Sequence, residues 1–235
     1  VPIAPEGTPV VVDCSAGNTT ENITVPAGAE IALVQMSYWD AGASAGPVSA
    51  CSIGGQGAAT PLNINATAAG LSGLFVGVIV LSGSGTQEFA LDWTSDEAIS
   101  EGGYPYISFW SGASDTLRET PQSDRALGGT TVTATLTTET GDVCVTHCEA
   151  FQTSTIEMIL DTITGQGTSL FDSSDPGGDQ VVDVDYFART QASHVITLSN
   201  YAYSSIIGVT LQEGTPSGGG GGSSALPLLN AYYHG

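Results

Sequence analysis

Val25-Pro-Ala-Gly-Ala-Glu-Ile-Ala-Leu-Val-Gln-Met-Ser-Tyr-Trp39 decides the reading of the fold. Pro26-Ala-Gly28 is turn chemistry, because proline presets φ and glycine accepts a positive φ at no steric cost. In the run that follows, Ile31, Leu33, Gln35, Ser37 and Trp39 alternate with Ala32, Val34, Met36 and Tyr38. Both sets begin apolar, so neither face of this segment can meet water at its start. That is the pattern of a central β-strand covered on both sides.

Outward from this strand the chain repeats the same grammar. Thr8–Val12 and Asn22–Val25 are short β-branched runs, and Val48–Ile53 enters a tight Gly54-Gly-Gln-Gly57 turn. Gly73–Leu81 and Thr86–Thr94 read as a hairpin across Ser82–Gly85. In the second strand Phe89, Leu91 and Trp93 fall on one face and Glu88, Ala90 and Asp92 on the other. Tyr104–Trp110 is an aromatic strand, Ser111–Gly129 a polar surface loop, and Thr131–Thr137 a half-buried strand. Val143–Phe151 and Val181–Ala188 read as strands, Ser154–Thr162 as a strand or short helix, and His194–Leu198 with Ser204–Leu211 as a closing pair. About a dozen strands between Gly/Ser/Asp turns, with no long helical period, predict an all-β antiparallel β-sandwich, jelly-roll or immunoglobulin-like. The lack of crossover helices excludes a parallel α/β fold.

Composition agrees and narrows the partners. The 235 residues include 31 Gly and 11 Pro, a β-rich balance with few of the Lys, Glu and Arg residues that coat exposed helices. Asp and Glu number 24 against Arg118, Arg125 and Arg189, with no lysine, for a formal charge of −21. Three scattered arginines cannot track a phosphate backbone, so nucleic acid is excluded as a direct partner, as is an anionic membrane surface. No apolar run reaches the roughly 18–20 residues of a membrane span, the nearest being Leu74–Leu81.

The four cysteines are Cys14, Cys51, Cys144 and Cys148. In a strand, positions 144 and 148 share a face about 13 Å apart, too far for a disulfide, while His147 projects to the opposite face. This leaves buried free thiols, or a link between Cys14 or Cys51 and one of the later pair.

Catalytic signatures are missing. The chain has no G-x-S-x-G elbow, Walker loop, H-E-x-x-H or dinucleotide fingerprint, and the predicted protein is not an enzyme. His147 and His194 read as structural strand residues. Glu88 with Asp92, and Asp183 with Asp185, are same-face carboxylates of the kind glycosidases pair, but among 24 acidic residues such pairs have little specificity and read as solvated strand faces. Asp172, Asp175 and Asp179 carry the oxygen donors of a Ca2+ loop without EF-hand spacing, and are the candidate metal ligands. Trp39, Tyr104, Tyr106, Trp110, Tyr201 and Tyr203 could stack on glycans, although Trp39, Trp93 and Trp110 lie in apolar strands and read as core.

The end of the chain changes character. Residues 1–213 form the sandwich domain, 214–224 a Gly/Ser linker and 225–235 an apolar arm. The linker spans roughly 15–20 Å as a flexible coil. Leu226, Leu228, Leu229, Tyr232 and Tyr233 after such a tether are docking residues, for the chain's own sandwich, a neighbouring subunit or another protein.

In series, Val25-Pro-Ala-Gly-Ala-Glu-Ile-Ala-Leu-Val34, Ser52-Ile-Gly-Gly-Gln56, Gly73-Leu-Phe-Val76, Thr86-Gln-Glu-Phe-Ala-Leu-Asp-Trp93, Tyr106-Ile-Ser-Phe-Trp-Ser-Gly112, Val132-Thr-Ala-Thr-Leu136, Gly141-Asp-Val-Cys-Val145 and Ile206-Ile-Gly-Val-Thr-Leu211 resemble β-sandwich virion-associated proteins of tailed phages. The resemblance covers roughly Asn22 to Gln212 and carries no catalytic residues. It implies a capsid decoration, head-fibre or tail-attached role on the virion exterior or outside cells. It also implies a homo-oligomer whose partners are other virion proteins, such as a major capsid protein. The alternative is a secreted or cell-surface adhesin, a carbohydrate-binding sandwich whose partners are glycans.

Overall fold

The computed structural model describes residues 1–39, 48–58, 62–65, 73–94, 101–127, 131–151, 160–163, 168–174, 180–187, 192–198 and 203–217. These residues form strands and turns only. Up to Gly112 they give β1 (Ala4–Pro5), β2 (Val10–Val11), β3 (Thr19–Val25), β4 (Ile31–Trp39), β5 (Val48–Ile53), β6 (Gln56–Gly57), β7 (Leu62–Asn65), β8 (Gly73–Val80), β9 (Gly85–Trp93), β10 (Glu101–Gly102) and β11 (Tyr106–Ser111). Beyond it come β12 (Ala113–Leu117), β13 (Gln122–Leu127), β14 (Thr131–Leu136), β15 (Val143–Phe151), β16 (Leu160–Ile163), β17 (Thr168–Ser174), β18 (Gln180–Phe187), β19 (Ala192–Leu198) and β20 (Tyr203–Glu213). The all-β antiparallel sandwich expected from the sequence is the observed class.

The strands make four antiparallel sheets stacked in layers. The first outer sheet runs β3-β9-β5-β6 and the first inner sheet β1-β11-β4-β8-β7, with β2 also on β11 and β10 on β4. The second inner sheet runs β12-β20-β15-β18-β17, with β13 also on β20, and the second outer sheet β14-β19-β16. β4 shows why they stack. Its even residues Ala32, Val34, Met36 and Tyr38 join Ile23, Phe89, Leu91 and Trp93 in the core under the first outer sheet. Its odd residues Ile31 and Leu33 join Val143, Val145, Ile207, Val209 and Leu211 in a second core between the two inner sheets. A strand apolar on both faces needs a sheet on each side. Across the far face of β20, a Cβ at Gly208 would lie 3.0 Å from Ala134, so the fourth layer sits directly on the third.

The same chain path is traced twice. Set aside the two-residue β6 and β10 and take β1 with β2, and β12 with β13, as broken first strands. In each half the first strand then pairs with the eighth, the second with the seventh and the third with the sixth. Nested antiparallel pairs of this kind are a long hairpin rolled over a core, the jelly-roll path. With the nine-residue third strands β4 and β15 matched from their first residues, Gln35, which faces Tyr106, corresponds to His147, which faces Ile207. The amino-acid sequence carries a matching trace in Ile53-Gly-Gly-Gln-Gly57 and Ile163-Thr-Gly-Gln-Gly167.

Three sequence expectations need correction. Gly73–Leu81 and Thr86–Thr94 are not a hairpin: β8 pairs with β4 and β7, β9 with β3 and β5, and the connection crosses between sheets. His194–Leu198 and Ser204–Leu211 likewise lie in different sheets. Ser111–Gly129 is not a loop, since β12 and β13 both pair with β20. Alternation reports the face of a side chain and is silent on the neighbouring strand, which is set by core closure. The Gly54-Gly55 turn does join β5 to β6, with φ of 57° and 77°. Of Ser154–Thr162, only residues 160–162 lie within the described residues, and they are strand, the start of β16.

Candidate functional site

Polar side chains gather where the two inner sheets meet. β4 is apolar at Ile31 and Leu33, then places Gln35 and Ser37 on the same face, each 1% exposed. β15 does the same from the other side, with Val143 and Val145 followed by His147 and Glu149, also 1% exposed. Tyr106, opposite Gln35, and Ser205, opposite Glu149, complete the cluster.

Its bonds cross between layers. Ser37 Oγ donates to Glu149 Oε2, and Gln35 Nε2 donates to the Ile207 carbonyl at 3.5 Å. The Tyr106 and His147 rings lie 5.0 Å apart at a 56° tilt. His147 Nε2 is 3.7 Å from Glu149 Oε2, beyond hydrogen-bond reach, and neither ring nitrogen has a hydrogen-bond partner among the described residues. Burial pushes the His147 imidazole down to about 3, so it is neutral at neutral pH. Burial, reinforced by the charges of Glu149 and then Tyr104, raises the Tyr106 phenol. The cluster fixes one layer against the next in a site closed to solvent.

A second polar group braces the outside. The Arg118 guanidinium grips Asp142 through Nε at 2.8 Å and Nη2 at 2.9 Å, and reaches Glu139 at 3.0 Å. Burial pushes the Asp142 carboxyl up, but the bonds from Arg118 and the Glu139 N–H outweigh it and hold the group below the usual range. This ties the turn before β15 to the segment after β12. At the junction of the halves, Gly112 N–H donates to Glu30 Oε2 at 2.7 Å and Ser111 Oγ to Glu6 Oε1 at 2.6 Å. The Gly214 N–H donates to the Gly112 carbonyl at 3.1 Å, and the Ser217 hydroxyl binds Asp115. Ser217, the last described residue, therefore stands beside the junction.

Leu226, Leu228, Leu229, Tyr232 and Tyr233 lie outside the described residues, as do Asp175 and Asp179; Asp172 is in β17, opposite Asp183. Among the described residues, no three His, Cys, Asp or Glu side chains converge as a metal site. Glu88 and Asp92 point to solvent from β9. Trp93, Trp110 and Tyr106 are buried, and Tyr104 is partly buried against the second core. All four cysteines are free. Cys14 and Cys51 sit in the first core, whereas Cys144 and Cys148 lie on the face of β15 away from it, so a link between the early and later pairs is ruled out by the intervening inner sheets. His147 does face away from Cys144 and Cys148. Glu149 carries no motif of its own, and the sequence signal for it is the matching apolar-to-polar progression along Ile31–Ser37 and Val143–Glu149. Comparison with family models, characterised proteins and solved structures gives no match.

Proposed function

We propose that the chain is a non-enzymatic virion structural protein, a capsid decoration or fibre-like protein on the particle exterior. The observation that carries this reading is the stack of two jelly-roll units whose inner sheets share one core and seal in the His147–Glu149 cluster. Jelly rolls recur in viral capsid proteins, and a rigid double unit suits a spacer or surface cover. Among the described residues, His147 and Glu149 are buried between strands of the two inner sheets. The surplus of carboxylates keeps such particles apart and disfavours contact with an encapsidated genome. Attachment runs through the C-terminal arm, which follows Ser217 in the chain and engages a second copy or a major capsid protein.

Light scattering on size-exclusion eluates of the full chain and of a chain ending at Ser217 tests this. A defined oligomer that reverts to monomer on truncation supports arm-mediated assembly; two monomers of equal behaviour count against it. Lectins also use the jelly roll, and Tyr104 is an aromatic that keeps part of its surface exposed. Glycan binding lost on Tyr104→Ala would replace the structural reading with a carbohydrate-binding one.

A further inference from the structure

The two halves meet through equivalent faces of equivalent sheets. Matched from the first residue of two nine-residue strands that hold the same place in their halves, Ile31, Leu33, Gln35 and Ser37 of β4 correspond to Val143, Val145, His147 and Glu149 of β15. Both sets point into the shared core or its polar centre. This is the geometry of a two-fold dimer, in which one surface patch meets its own counterpart. Only Gly112 separates the last strand of the first unit from the first strand of the second.

We infer that this face is a self-recognition surface: the partner each inner sheet fits is another copy of the same jelly-roll unit, and the contact is a dimer interface held within one chain. The apolar residues supply attraction that any pairing of units would share. The polar centre supplies choice. In the observed pairing, Ser37 donates to Glu149 and the Gln35 amide finds the Ile207 carbonyl. Two second units would bring Glu149 against Glu149 in a buried site, without Ser37 or Gln35 to satisfy them. Like carboxylates in low dielectric repel, or must take up protons, and a buried charge that loses its partner is costly. Because one chain supplies the two units in equal number, penalising second-with-second pairing is enough to favour first-with-second. The face that holds the chain together would also join units from different chains, were they released.

The test keeps the full chain and inserts a protease site between Gly112 and Ala113, cut after folding. Isotopically distinct cut proteins are mixed and their pairings read by native mass spectrometry. The expected result is a cut protein with the mass of the intact chain, and exchange that yields first-with-second pairs at least about tenfold over like pairs. Separation or unfolding on cutting, or like pairs in statistical proportion, would overturn the inference. A His147→Gln, Glu149→Ser chain gives the second unit the polar pair of the first, and its like pairs should rise by about tenfold. The reciprocal Gln35→His, Ser37→Glu chain sets carboxylates against each other in every pairing, and its cut units should part. If pairing in both variants matches the parent, the polar centre does not select the partner.

Discussion

His147 makes the stability of the protein depend on pH in a calculable way. Its ring is 1% exposed and titrates near 3 when folded, against 6.5 when free. A base whose folded value is depressed binds fewer protons in the native state than in the unfolded chain across that window. Stability is therefore complete above pH 6.5 and falls as the pH drops towards 3. At about 1.36 kcal/mol per pH unit, the loss between pH 6.5 and 4.5 is about 2.7 kcal/mol. Asp142, held below its ordinary range, adds an acid-labile contribution of the same sign, but only below the usual carboxylate region. Urea denaturation of the parent and of His147→Gln at several pH values between 7 and 4.5 isolates the histidine, because every other group cancels in the difference. The parent's unfolding free energy should fall more steeply by about that amount, roughly 1 M in urea midpoint for an m-value of 2–3 kcal/mol/M. Parallel curves would refute the reasoning. They would mean that the folded imidazole keeps its proton as an ion pair with Glu149, 3.7 Å away.

Three further outcomes follow from packing and backbone. Leu33→Ala empties a fully buried position in the core between the inner sheets and should cost about 2–5 kcal/mol in chemical denaturation. Gly112 has φ of +69°, and an added Cβ would lie 2.6 Å from the carbonyl oxygens of Val1 and Pro2; Gly55 has φ of +77° with open space around it. Gly55→Ala should thus cost only the left-handed conformation, about 1–2 kcal/mol, and Gly112→Ala distinctly more; equal losses would contradict the tight junction. Burial pushes the Cys14 and Cys51 thiols up to about 12 and Cys144 up to about 11, so a thiol reagent at pH 8 should label them only on unfolding.

The strand grammar was legible because burial on both faces leaves an unbroken apolar start, as in Ile31–Val34, and one-sided burial leaves the alternation of Phe89, Leu91 and Trp93. The core tryptophans Trp93 and Trp110 and the opposed directions of His147 and the later cysteines came from the same period of two. Strand partners were not legible. β8 and β9 are adjacent in sequence and lie on opposite sides of the first core, a choice made by closing a jelly roll rather than by local turn chemistry. The doubling of the unit was hidden because the halves share little beyond Ile-x-Gly-Gln-Gly. The stretch before Tyr106 is also much longer than its counterpart before Tyr203, so a simple shift of one half onto the other drifts out of register. Gln35, Ser37, His147 and Glu149 are residue types that also end ordinary exposed strands. Polarity alone does not reveal that another polar strand lies across from them.

The rings of Tyr106 and His147 report most directly on the stacking of one inner sheet on the other. They belong to different halves of the chain and lie 5.0 Å apart across the layers. In a nuclear Overhauser experiment on the full chain, assigned by comparison with Tyr106→Phe and His147→Gln, cross-peaks should connect the protons of the two rings. Well-resolved ring signals without any such cross-peak would contradict the layered arrangement, and with it the shared core from which the functional proposal is built.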